Sequence, residues 1–236
     1  MNEELKIGWE KIPEGSVNVV HLDGLNTVCM GKLPTNLGKE VDKIAEDIQN
    51  SNFENQLTYN ESLVGHLQKE FVIPEENLSN DFLSYLIWLG DILIQNDHNF
   101  AKMFMQGDNY AKLLDPTRVW VNFQQKHEFN PMHSHSGLLS WVIWNKIPYD
   151  IEEEQKVFPK MAKIKQSNYN YTSSFNFICS DSKMGVADYP ILVNKAMENY
   201  ICIFPSTLCH CVYPFYTSDE YRISFSGNIY LKDYSK

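Results

Sequence analysis

Two regimes of hydrophobic spacing divide the chain near Asp115-Pro116. Before that point apolar residues recur at helical intervals. Leu37, Val41, Ile44, Ala45 and Ile48 fall on one face of a 3.6-residue period, which predicts a helix from Leu37 to Ile48. A second helix is predicted from Ser79 or Asn80, as N-cap, through Phe82, Leu83, Leu86 and Ile87 to Leu93. Short extended segments at Val17 to Leu22 and Thr27 to Met30 fit strands that join the edge of a sheet.

After Pro116 the pattern changes to strands separated by turns. Arg118 to Phe123 alternates, and Leu138 to Asn145 is dense in tryptophan and β-branched residues. Ser174 to Cys179, Pro190 to Val193, Tyr200 to Phe204, Cys209 to Tyr213 and Tyr221 to Leu231 follow. Short strands with long polar connections predict an antiparallel sandwich or jelly roll, so the fold class is mainly β with N-terminal helices. The acidic stretch from Asp150 to Glu154 reads as a solvated loop. No repeat or low-complexity linker interrupts the chain. The expectation is one domain over 1–236, with a helical and edge-strand part at 1–115 and a jelly-roll core at 116–236.

Composition narrows the classes. A chain of 236 residues that is 43% hydrophobic and 13% aromatic can build a sizeable core, and its aromatic richness suits packed sheet. A formal charge of -10 argues against a phosphate-backbone binder, so no nucleic-acid partner is expected. The start of the chain lacks the basic-then-apolar layout of a secretory signal. The longest apolar stretch, Phe82 to Ile94, is too short to span a bilayer and contains Asp91. A soluble, cytoplasmic protein without a membrane partner is the expectation. Cys29, Cys179, Cys202, Cys209 and Cys211 are odd in number and lack framework spacing, which favours reduced thiols.

Chemistry concentrates in a split constellation: His133 and His135, then His210, then Arg222 and Ser224. Residues two apart on an extended strand share a face, with α-carbons about 6.6 Å apart, so two imidazoles can converge on one metal ion. Three protein ligands leave coordination positions open, as a catalytic metal requires. Pro131 and Gly137 bracket the first pair and put it at a strand's end. Tyr221 to Ser226 alternates, with Arg222, Ser224 and Ser226 on one face and Tyr221, Ile223 and Phe225 on the other. A guanidinium fork beside a hydroxyl suits an anionic co-substrate's carboxylate. Cys209 and Cys211 point away from His210 and read as small packed hydrophobes. Trp141 and Trp144 lie on opposite faces of their strand, so at most one lines the interior. His21, His66 and His98 have no partner at ligand spacing, and His127 fits the lip of a pocket.

Three blocks, taken in order and spacing, resemble the iron(II)- and 2-oxoglutarate-dependent oxygenases, in particular the prolyl 4-hydroxylase-like branch and its phage-encoded members. They are Glu128 to Gly137, then Phe204-Pro205-Ser206 with His210, then Arg222 to Asn228. The similarity runs from about Val119 to Ile229. It implies a double-stranded β-helix with iron(II) at its open end, His133 and His210 as ligands, and Arg222 on the far carboxylate of 2-oxoglutarate, helped by Ser224. Dioxygen would be the oxidant, coupling 2-oxoglutarate decarboxylation to oxidation, by hydroxylation, of a second substrate. Where that family most often has a carboxylate two residues after the first histidine, this chain has His135. Either His135 completes a three-histidine set, or water or Glu128 fills the third position. His135 is preferred because it shares a face with His133, whereas Glu128 lies across Pro131. Asn122 and Asn228 are pocket-lining candidates for the co-substrate.

Two other classes compete. One is a non-catalytic jelly-roll binding or virion-associated protein. The other is a three-histidine dioxygenase that uses no 2-oxoglutarate, with Arg222 holding its substrate's carboxylate. The identity of the primary substrate is not encoded in any motif of the N-terminal half.

Overall fold

The computed structural model describes residues 14–22, 26–60, 63–97, 113–161, 171–181 and 185–232. His98, expected to be ordinary, lies outside them. Among the described residues eleven strands and three α-helices form. The strands are β1 (Val17–His21), β2 (Thr27–Lys32), β3 (Glu70–Ile73), β4 (Leu114–Gln124), β5 (Asn130–His133), β6 (Leu139–Lys146), β7 (Ser174–Asp181), β8 (Gly185–Leu192), β9 (Tyr200–Pro205), β10 (Cys209–Val212) and β11 (Arg222–Leu231). The helices are α1 (Thr35–Asn50), α2 (Asn80–Asn96) and α3 (Ile151–Met161).

A seven-stranded sheet in the order β1-β2-β9-β6-β11-β4-β3 faces a four-stranded sheet in the order β5-β10-β7-β8. Every pairing in both is antiparallel. The period-two pattern of β4, β6, β9 and β11 decides what each face of the large sheet meets. Val119, Val121, Phe123, Leu139, Trp141, Ile143, Ile201, Ile203, Ile223 and Phe225 face outward and pack against α1 and α2. The helices answer with Leu37, Val41, Ala45 and Ile48, and with Phe82, Leu86, Leu89 and Leu93. Burying each large side chain stabilises by roughly 1.5–3 kcal/mol, which anchors a helix pair onto a sheet that would otherwise expose an apolar face. The opposite face turns inward, where Val142, Trp144, Cys202 and Phe204 meet Phe175 and Phe177 of the small sheet. Trp144 thus packs inside against Phe175, while Trp141 packs outside against Phe82.

The helix expectations hold in position, and α2 is capped by Ser79, whose hydroxyl accepts from the Phe82 N–H. The acidic stretch is corrected: Ile151 to Glu154 is the first turn of α3, not a loop. Asp150 accepts from the N–H groups of Glu152 and Glu153 as a cap, and carboxylates in a first turn are favoured by the helix dipole. Glu154 is fully buried, not solvated. Its carboxylate accepts from the N–H groups of Tyr216 and Thr217 and from the hydroxyls of Ser173 and Thr217. Glu70–Ile73 is a strand the sequence pattern did not reveal, and β8 begins at Gly185 rather than Pro190. The five cysteines are free. Cys29, Cys179 and Cys202 are buried, but Cys209 and Cys211 are only half-buried, so they are not core hydrophobes as expected. No described helix is long and apolar enough to cross a membrane.

Candidate metal centre

One end of the sandwich interior is polar. His133 closes β5 and His210 lies in the middle of β10, and the two are direct register partners across that antiparallel pair. His135 lies just past the end of β5. Its position comes from a loop hydrogen bond, His135 N–H to the Ser206 carbonyl at 2.8 Å, rather than from a continued strand. Gly137, at φ +104, then turns the chain into β6.

The three rings converge. Their centroids are 4.9 Å apart for His133 and His135, 4.3 Å for His133 and His210, and 5.0 Å for His135 and His210. The potential ligand atoms lie within 4.8 Å of one another, the one metal-competent cluster among the described residues. His133 Nδ1 is 2.7 Å from the Pro131 carbonyl and His210 Nδ1 is 3.0 Å from the Leu208 carbonyl. A carbonyl oxygen can only accept, so each Nδ1 carries the proton and each Nε2 presents a lone pair. Such a second hydrogen bond fixes tautomer and ring orientation in metal-binding histidines. The Nε2 atoms of His135 and His210 are 3.2 Å apart. Two nitrogens each about 2.1 Å from one ion lie roughly 3.0–3.4 Å apart at right or tetrahedral angles, so this spacing suits a shared cation.

Burial pushes all three imidazoles toward the neutral form. It lowers the pKa of His133, it takes His135 to about 4 with help from His133, and it carries His210 well below the ordinary histidine range. Neutral imidazole is the ligating form. Glu128 is elsewhere: its carboxylate accepts from the N–H groups of Gln68 and Gln125, clamping the loop before β5.

A cavity of about 110 Å³ connects these rings to Arg222, Ser224, Asn122, Gln124 and Glu70. Arg222, only 4% exposed, forms no ion pair among the described residues. Its five N–H groups reach neutral acceptors: Nε and Nη2 donate to Gln124 Oε1, Nη2 to the Tyr213 carbonyl, and Nη1 to Tyr149 Oη and the Ser173 carbonyl. A buried cation without a counter-ion is unfavourable, so this end of the cavity is electrostatically prepared for an anion. Asn122 donates to Ser224 Oγ at 3.3 Å, leaving the serine proton free to point into the cavity. Asn228 does not line the cavity; its Oδ1 accepts from Ser140, which also bonds Ser206. His127 does not line it either, and its ring packs edge-on against Tyr216. His21 bonds Thr27, and His66 stacks on Phe129.

Sequence reasoning missed Gln124, Tyr149 and Glu70. Gln124 carries a readable signal, because it continues the alternation of Trp120 and Asn122. It ties the guanidinium to the histidine loop, since its Nε2 also donates to the Glu128 carbonyl. Tyr149 lies in a loop, and burial raises its pKa, so it remains a neutral phenol beside Arg222.

A two-sheet jelly roll with a cluster of neutral histidines and a buried arginine at one end has the parts of a metal-dependent oxygenase site. Residues 118–228, just under half of the chain, match the family described as "Putative 2OG-Fe(II) oxygenase". That segment carries all three histidines and Arg222 and is similar to a family of 2-oxoglutarate- and iron(II)-dependent oxygenases, which are oxidoreductases. That family implies iron(II), 2-oxoglutarate and dioxygen, and the three histidines fit the metal. Among solved structures, AviO1 from Streptomyces viridochromogenes Tue57 superposes with a TM-score of 0.51 at 10% identity, covering 89% of this chain and 91% of the other. A Pseudomonas putida prolyl-4-hydroxylase gives 0.48 at 10% identity, covering 86% and 92%. A 2OG-Fe(II) oxygenase family oxidoreductase from Burkholderia pseudomallei gives 0.40 at 12% identity, covering 85% and 84%. Among curated proteins none matches the chain.

Proposed function

We propose that this protein is a hydroxylase in which His133, His135 and His210 hold iron(II), and Arg222, Ser224 and Asn122 receive 2-oxoglutarate. The observation that carries the reading is the convergence of three neutral imidazoles, two of them aimed by carbonyls two residues upstream. When bound, iron and 2-oxoglutarate supply the oxidising chemistry, with decarboxylation to succinate and carbon dioxide leaving one oxygen atom of dioxygen for the primary substrate. The chain's own part is positioning. Arg222 exchanges a neutral acceptor for the far carboxylate, and Ser224 donates its free proton beside it. With three neutral ligands the centre is one charge more positive than a two-histidine, one-carboxylate set, which tightens binding of a dianionic co-substrate. Trp120, Phe175 and Phe204 pack around the histidines and keep water off them. Asn228 acts through the Ser140 and Ser206 network as a structural group. The N-terminal part and the jelly roll act as one domain, a reading supported by β1, β2 and β3 pairing into the large sheet.

The test is an anaerobic titration of the metal-free protein with iron(II), then with 2-oxoglutarate. A visible charge-transfer absorption on the second addition is expected. Iron binding without that absorption would point instead to a three-histidine dioxygenase, and no iron binding to a jelly-roll binding module.

A further inference from the structure

Glu70 marks a second pole of the cavity, a carboxylate that the oxygenase chemistry does not use. Glu70 is 1% exposed, sits on β3 outside the family-matched segment, and pairs with no cation among the described residues. Among the described residues its carboxylate takes part in one hydrogen bond, a long contact of 3.4 Å from Asn60 Nδ2 to Oε2. β3 places it in register with Asn122, which pairs with Ser224 on the next strand, so all three point inward from one row of the sheet. Two more acceptors lie around it without partners: Asn122 Oδ1, on a residue 6% exposed, and Asn130 Oδ1. Gly65 closes the group, since a Cβ there would come within 2.5 Å of Asn130 Oδ1 and 3.1 Å of Glu70 Oε1. Lys69, the adjacent cation, points the other way, to Tyr221 Oη.

We propose that Glu70, with the side-chain carbonyls of Asn122 and Asn130, forms a subsite for a cationic nitrogen group, ammonium or guanidinium, of the primary substrate. Three inward acceptors that meet, among the described residues, only the long contact from Asn60 call for a donor-rich guest, and a buried carboxylate calls for a positive one. Arg222 cannot be that guest. It lies two strands across and one pleat along, about 12 Å away between α-carbons, and its donors are already used. Asn130 opens the strand that ends at His133, so a basic group held there extends the substrate toward the metal ligands. Burial, with the Glu128 charge adding to it, raises the Glu70 pKa to about 7, which a bound cation would bring back down. The net charge of -10 favours approach of a cationic substrate. Calling this guest the substrate rests on the oxygenase reading; its chemistry does not.

The test titrates the full-length, metal-free protein at pH 8 with N-acetylarginine amide and N-acetyllysine amide, and with their neutral counterparts N-acetylcitrulline amide and N-acetylnorleucine amide, followed by NMR shifts. At least one basic probe is expected to bind tenfold or more tightly than its neutral counterpart, and the stronger of the two identifies guanidinium or ammonium. Glu70→Gln should erase that preference and Glu70→Asp should keep part of it, with thermal melts of both recorded as evidence of folding. Equal binding of basic and neutral probes, no binding of either basic probe, or a preference that survives Glu70→Gln in the folded variant each overturn the proposal. Because neither iron nor 2-oxoglutarate is present, this outcome is independent of the iron titration.

Discussion

His133 and His210 face each other as register partners across β5 and β10, with ring centroids 4.3 Å apart. His135 joins them from a loop, held by Ser206. The proposed third ligand is therefore the least rigidly placed of the three. His135→Ala is expected to weaken iron(II) binding at least tenfold without unfolding the protein, and His135→Asp to recover much of it, because a carboxylate is also a suitable ligand for this metal. Iron titration of the two variants decides the matter, and full 2-oxoglutarate turnover by the alanine variant would exclude His135 from the centre.

Gln124 now occupies two of the donors that a carboxylate would use on Arg222. Gln124→Glu puts a permanent anion there at nearly unchanged shape. We expect 2-oxoglutarate affinity to fall tenfold or more while iron affinity stays the same, as read by the charge-transfer titration. An unaltered 2-oxoglutarate affinity would mean that the co-substrate does not reach Arg222.

Glu154 satisfies two backbone N–H groups and two hydroxyls from inside the protein. Glu154→Ala leaves them unpaired and should destabilise by about 2–4 kcal/mol, measured as a shift in the urea midpoint. The segment it holds includes Tyr216, three residues after the Tyr213 carbonyl that accepts from Arg222. Weaker 2-oxoglutarate binding in any folded fraction should accompany the lost stability.

Glu70 carries a pH signature. Its pKa is raised from 4.5 to about 7, so the folded state holds a proton through a range in which the unfolded chain has already released it. Stability from this residue is complete below pH 4.5 and is lost as pH rises through 7. The wild type should therefore lose stability relative to Glu70→Gln between pH 5 and pH 8. Urea midpoints that run parallel across that range would contradict the shift.

The site was legible where its chemistry coincides with strand alternation. Arg222, Ser224 and Ser226 share a face in the sequence pattern and share the cavity in the structure. The helices were legible because their apolar stripes are long. Glu70 was not, because β3 is four residues at a sheet edge and too short for a period to declare itself. The acidic run misled because Glu154 looks the same in sequence as its solvated neighbours, and the distant Ser173, Tyr216 and Thr217 make its burial tolerable.

Each of the two carbonyl braces lies two residues upstream of its own histidine, Pro131 for His133 and Leu208 for His210. Aim is thus written into each local segment separately, and the pairing of β5 with β10 only has to bring two finished parts together. Little conformational entropy remains to be lost when the ion arrives. Metal uptake should accordingly be governed by entry into the cavity rather than by any rearrangement of the two braced histidines.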